Sequence, residues 1–196
     1  MKEVRSMHNL DELLSRIKKR VTDPVRFLDA AAWVRPMRKI GALATPQHID
    51  DAERLLGFSF PIVVRRMYTE IGNGSWGPHY GFYPIPTEGV KPTEDDLVGF
   101  NLECTSNERA IEEPLVNWPR GIVTVLGRGC VDYELCDFIR PPHAVYLLSG
   151  DTWLPNTPVL ESLKLVADSI EDRLDQWLQA KSAEQAQIAG DGLSNG

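Results

Sequence analysis

The sequence predicts an α+β domain: a mostly antiparallel sheet with helices packed on one face. Three observations carry this. Apolar residues recur at helical spacing from Leu10 to Val21, Ile49 to Leu56, Val64 to Ile71 and Ile170 to Leu178. Val131, Tyr133 and Leu135 alternate with Asp132 and Glu134, the period of a strand. Gly127-Arg128-Gly129 separates that run from the apolar stretch Ile122 to Leu126, as in a hairpin.

Taken in order, Asn9-Leu10-Asp11-Glu12 reads as a capping box that opens a helix, and Lys18, Lys19 and Arg20 suit its C-terminal dipole. Asp23-Pro24 starts a second helix carrying Val25, Leu28 and Ala32, which ends before Pro36. Residues 1–40 are thus expected to form an N-terminal helical extension. Thr45 is an N-cap and Pro46 sits at the first helical position, where its missing N–H costs nothing. Ile49, Ala52, Leu55 and Leu56 make one apolar face, and Gly57 supplies the left-handed stop. Pro61 restarts a helix whose stripe is Val64, Met67, Tyr68 and Ile71, with Phe60 as a hydrophobic staple. Gly72-Asn73-Gly74 ends it.

Gly81 to Ile85 reads as a short edge strand, where Pro84 is tolerated. Thr93 to Leu97 reads as a capped helical turn, and residues 107–113 as another short helix. The hairpin over 122–136 should bury Val131, Tyr133 and Leu135 and expose Asp132 and Glu134. Ala144 to Leu148 and Leu163 to Ala167 are further strands. Asp168-Ser169-Ile170-Glu171 reads as a capping box for the last helix, with Ile170, Leu174, Trp177 and Leu178 as its stripe. Residues 181–196 are polar and glycine-containing, as expected of a disordered tail.

Charge separates the chain into two parts. Residues 1–40 carry ten Lys or Arg against five Asp or Glu, and residues 41–196 carry eleven against twenty-three. The net −7 therefore hides a basic arm and an acidic main domain. Phosphates would be repelled by that domain, so nucleic acid is not expected as a partner, and a basic protein is. The basic arm reads as a solvated helix face. No apolar run reaches the roughly 20 residues of a membrane span. The N-terminus lacks a secretory apolar core, and the cysteines are an odd three. A cytoplasmic, reducing location is expected.

Two motifs look chemical and are not. Gly72-Asn73-Gly74-Ser75-Trp76-Gly77 fits the dinucleotide pattern, but a helix precedes it and prolines follow, so a helix C-terminus would face the phosphates. Cys130, Asp132, Glu134 and Cys136 share one strand face, which sets the two sulfurs about 20 Å apart at ~3.3 Å per residue. One zinc needs both within ~2.3 Å. No metal or cofactor is expected. The histidines show no HExxH spacing, and no Gly-x-Ser-x-Gly elbow is present.

Glu53, Leu56-Gly57, Phe60-Pro61, an amphipathic turn and then Asn73-Gly74 together resemble the signature of the SUKH superfamily, which contains fungal cell-wall-assembly regulators and bacterial immunity proteins. Phe60 replaces the usual Leu, and Ser75 stands where a second Gly is common. Trp76-Gly77-Pro78, Tyr80-Gly81, Trp118-Pro119, Gly129-Cys130 and Asp137 resemble the bacterial branch, as does the closing Ala167-Asp168-Ser169 helix. The resemblance runs from about Leu43 to Leu178. It implies a SUKH-like α+β domain over residues 41–180. It also implies a non-enzymatic protein-binding function, that of an immunity protein neutralising a cognate toxin, commonly a basic nuclease. A housekeeping adaptor of the same fold and a small hydrolase are the rival readings.

Partner contacts are expected at Trp76, His79 and Tyr80, where aromatic residues concentrate, and at Glu94, Asp95 and Asp96, the densest acidic run. The sequence leaves burial and exposure of Trp76 and Tyr80 equally open. Phe82 is expected in the core.

Overall fold

A computed structural model describes residues 2–22 (side chains from Asn9), 40–106, 118–129, 131–151 and 157–179. The elements are α1 (Lys2–Thr22), α2 (Pro46–Leu56), α3 (Ile62–Glu70), α4 (Leu97–Thr105), β1 (Ile122–Gly129), β2 (Asp132–Asp137), β3 (Val145–Leu148), α5 (Val159–Ser162), β4 (Leu163–Ala167) and α6 (Ile170–Gln179). The helix expected after Asp23, the one expected over 107–113 and the tail beyond 180 lie outside the described residues.

α1 buries the stripe expected of it: Leu10, Leu13, Leu14, Ile17 and Val21. It does not begin at Asn9. The helix runs through from Lys2, because no proline or glycine lies upstream to stop it. Ion pairs from Asp11 to Arg66 of α3 (2.6 Å) and from Arg16 to Asp175 of α6 (2.7 Å) fix its position. Arg20 reaches the Trp177 and Leu178 carbonyls and lies 4.6 Å over the Trp177 ring.

α2 starts as expected, with one novelty. Thr45 Oγ1 accepts from the His48 N–H, and His48 Nδ1 accepts in turn from the Thr45 N–H, so an imidazole fills the role Glu usually plays in a capping box. Gly57, at φ 80°, ends the helix. Glu53 then ties α2 to α3: its carboxylate accepts from the Phe60 N–H at 2.7 Å and from Arg65 at 2.6 Å. The N–H of Phe60 has no partner within α3, so Glu53 supplies one. Val63, Val64, Met67 and Tyr68 are buried beneath.

The sheet is an antiparallel meander in the order β1-β2-β3-β4. β1 is an edge strand, and two devices cover it. Phe82 bridges to Leu126, and the Tyr83 N–H donates to the Val125 carbonyl. Beyond them, the Asn101 carboxamide of α4 both accepts from the Thr124 N–H (2.8 Å) and donates to its carbonyl (3.1 Å). Asn73, after α3, does the same for Ile85, at 2.8 and 2.9 Å. Each amide acts as a one-residue strand that satisfies buried backbone groups.

α1, α2, α3 and α6 share one core with the inner sheet face, through Val123, Val125, Cys136, Val145 and Ala167. The outer face holds a smaller cluster of Ile122, Leu135 and Leu148 beneath Trp118, Tyr133, Tyr146 and Leu163. β2 is therefore covered on both faces: Leu135 is buried as expected, but the expected exposure of Glu134 and burial of Val131 are overturned. Glu134 is fully buried beside Leu135, while Val131, in the hairpin turn, is 57% exposed. Asp132 and Tyr133 are half-buried. The polar side of β2 faces the helices, because α6 brings a cation to meet it. The last helix is also capped one residue off the expected pattern: Ser169 Oγ accepts from the Asp172 N–H.

Replacing either carboxamide by methyl leaves a buried N–H and carbonyl unpaired, so Asn73→Ala and Asn101→Ala should each cost roughly 2–4 kcal/mol in urea unfolding. Leu165→Ala, at an exposed strand position, should cost under about 1 kcal/mol.

Candidate functional site

The loop from Ser75 to Phe82 folds back on itself. The Ser75 N–H donates to the Phe82 carbonyl, the Phe82 N–H to that of Trp76, and the Gly81 N–H to that of Pro78. Ser75 and His79 both adopt positive φ, 62° and 52°. His79 in this left-handed region is strained for a residue with a Cβ, and such strain persists only where the surroundings impose it.

Trp76 anchors the loop from inside. It is 2% exposed, its Nε1–H donates to the Gly72 carbonyl at 2.9 Å, and its ring packs on Phe82 and Trp177. This corrects its expected role: an indole closed into the core cannot meet a partner. Asp96 is corrected likewise. It is buried at the start of α4, where its carboxylate accepts from the Gly99 N–H at 2.8 Å and the Thr93 N–H at 2.5 Å. A helix N-terminus attracts a carboxylate into that position. Glu94 and Asp95, beside it, are exposed on the loop leading into α4.

His79 and Tyr80 are brought together with Glu134, Arg128 and Arg173, none of which the sequence placed in the candidate contact surface. The Tyr80 N–H donates to the Gly127 carbonyl, and the ring lies along β1 over Gly127 and Gly129. A Cβ at Gly129 would stand 2.9 Å from the ring, so this flat seat requires glycine. Next to it, Glu134 of β2 is gripped by Arg173 of α6 in a two-point fork at 2.7 and 2.8 Å. Arg128 and His79 close over the same carboxylate, at 3.6 and 3.5 Å from Oε1. Arg128 Nε–H donates to His79 Nε2 at 3.1 Å, which places the imidazole proton on Nδ1.

Burial pushes the Glu134 carboxyl up, but the cluster around it, His79 and above all the hydrogen-bonded and charged Arg173, outweighs it and holds the group at about 2. The Arg173 fork is the direct contribution, since His79 Nε2 is farther off and already accepts from Arg128. Glu134 is therefore ionised at neutral pH, with both of its oxygens held by Arg173. Arg173 balances its charge, and among the described residues Arg128 has that same carboxylate as its ion-pair partner, with its side chain 32% exposed.

Among the described residues no group of three or more His, Cys, Asp or Glu could hold a metal ion. Cys136 faces the main core, where burial pushes its thiol well above the ordinary range. Cys130 lies outside the described residues. No described helix is long and apolar enough to cross a membrane.

The Glu134 carboxyl titrates near 2 when folded, against an ordinary value of 4.5. A depressed folded value stabilises in full above about pH 4.5 and is lost as pH falls towards 2. Glu134→Gln should remove that acid-side dependence and cost about 3–5 kcal/mol near neutrality, since it strands Arg173. Urea midpoints measured from pH 2 to 7 on both proteins would show it.

The chain matches no protein-family model, and no curated protein matches it.

Proposed function

We propose that this chain is a non-enzymatic protein-binding domain, a cytoplasmic immunity protein that binds and neutralises a cognate toxin. The observation that carries the reading is the preorganised group Tyr80, His79 and Arg128. A half-buried tyrosine is seated on glycines, and a strained histidine and a partly exposed arginine are held beside it by a buried carboxylate. Tyr and Arg held in place lose little entropy on binding, which is what an interface anchor requires. The chemistry suits recognition better than turnover, because the most perturbed carboxylate is locked on both oxygens by Arg173. The SUKH resemblance supplies the class of partner. The exposed Glu94 and Asp95, within an acidic main domain, suit electrostatic steering of a basic toxin.

The test is binding to the product of the adjacent toxin gene, followed by surface-binding kinetics and inhibition of the toxin. Tyr80→Ala should raise the dissociation rate by about tenfold or more with little change in association. Glu94→Lys with Asp95→Lys should slow association at low salt and less at physiological salt, where screening confines charge to ~8 Å. Asp96 is left intact because it caps α4. Absence of binding to that product, or a hydrolytic activity abolished by changing one carboxylate or histidine, would sink the reading.

A further inference from the structure

On a different part of the molecule, the α2–α3 turn, the β2–β3 connection and α5 enclose an open groove of about 820 Å³. No residue of the Ser75–Phe82 loop lines it. Its floor is aromatic: Phe138 meets Phe60 edge-on at 5.0 Å and Phe58 at 6.3 Å. Its rim is aliphatic and wet, with Ile139 43% and Leu160 55% exposed, and Ile62, next to the lining residue Pro61, 63% exposed. Single exposed aliphatics are ordinary, but a cluster around a concave aromatic floor marks a binding surface. The volume falls within the ~300–1,000 Å³ of ligand-sized clefts.

The charge of the lining identifies the occupant. The chain holds 28 acidic against 21 basic residues, yet among the described residues no carboxylate lines this groove, and Arg120, Arg140 and His143 do. Asp137 is close but faces inward. It is buried under Arg140, its Oδ1 accepting from the Ile139 and Arg140 N–H groups and its Oδ2 from Arg140 Nε. That grip holds the Arg140 guanidinium at the surface, where the side chain is 63% exposed. Arg120 gives one N–H to the Gly57 carbonyl and remains exposed. His143, at φ 68°, is held by its Nδ1 contact with the Asp137 carbonyl at 2.9 Å.

We propose that this groove docks an acidic segment of a partner protein, in which a bulky apolar side chain is flanked by carboxylates. The apolar side chain enters between Phe60, Phe138 and Leu160, and the carboxylates meet Arg120 and Arg140. This surface has the opposite charge preference to the exposed Glu94 and Asp95, so it goes beyond the toxin-binding reading and does not depend on it.

A fluorescein-labelled hexapeptide, EDFLDE, titrated with the full chain and followed by fluorescence polarisation, tests the proposal. The expected result is saturable binding, weakened about fivefold or more between 50 and 300 mM salt. Arg120→Glu and, separately, Leu160→Asp should each weaken it at least about fivefold, as loss of a charge contact and of an apolar wall require. Both positions are exposed, so the variants should unfold at the wild-type temperature. Arg120→Ala serves as the milder check. KKFLKK should bind at least about tenfold more weakly, because like charges repel. Tyr80→Ala should leave peptide affinity unchanged, which separates this groove from the toxin surface. No saturable binding of EDFLDE up to millimolar chain, equal binding of KKFLKK, or full affinity in folded Arg120→Glu and Leu160→Asp would each overturn the proposal.

Discussion

The arrangement of the molecule depends on a carboxylate in the middle of the sheet. β2 has β1 and β3 on either side and packed residues above and below, so Glu134 has no access to water. An unpaired charge there would cost several kcal/mol, and only a cation delivered by another element can offset it. Arg173 is that cation, and its reach fixes where α6 lies on the sheet. Ser169 starts α6 at the position that aims Arg173 inward. α1 is then registered on α6 through Arg16 and Arg20, and on α3 through Asp11. One ion pair thus aligns a helical layer that apolar contacts alone would leave free to slide.

The same pair organises the surface above it. Glu134 draws Arg128 and His79 towards one point, and the His79 backbone accepts a left-handed conformation to remain there. Tyr80, the next residue, is thereby laid on the glycines of β1. The group of Tyr80, His79 and Arg128 is an outgrowth of the buried pair, and its position derives from the core rather than from the loop.

Most residues that carry the SUKH resemblance have structural duties. Glu53 satisfies the Phe60 N–H, Gly57 makes the left-handed stop, Asn73 pairs with the Ile85 backbone and Trp76 fills the core. Gly74 lies where a Cβ would meet Pro84 at 2.5 Å. Such residues specify a scaffold, and a scaffold does not specify a partner. In the proposed reading, recognition falls to Tyr80, His79, Arg128, the exposed acidic loop and the phenylalanine groove. These surfaces differ in charge, so net charge describes the chain but neither surface.

The sequence by itself determined the local elements, because their causes are local. Thr45 and Pro46, Gly57, Phe60-Pro61 and the glycines after α3 act within a few residues of themselves, and most of the helical stripes follow from spacing, Leu55 excepted. The β1–β2 hairpin was legible too, but Gly127, Arg128 and Gly129 belong to β1 and the turn comes after them. The antiparallel character of the sheet was legible for the same reason. Tertiary structure alone decided which side of β2 faces the helices. The alternation of Tyr133 and Leu135 with Asp132 and Glu134 implied a polar outer face, but a strand covered on both sides reverses that logic once a cation arrives thirty-nine residues later in the chain. Trp76 and Asp96 were misplaced for a related reason. An indole between glycine and proline, or a carboxylate in an acidic run, reads the same whether it faces solvent or closes on the core and a helix start. Only the positions of Phe82, Trp177 and the first turn of α4 distinguish the two.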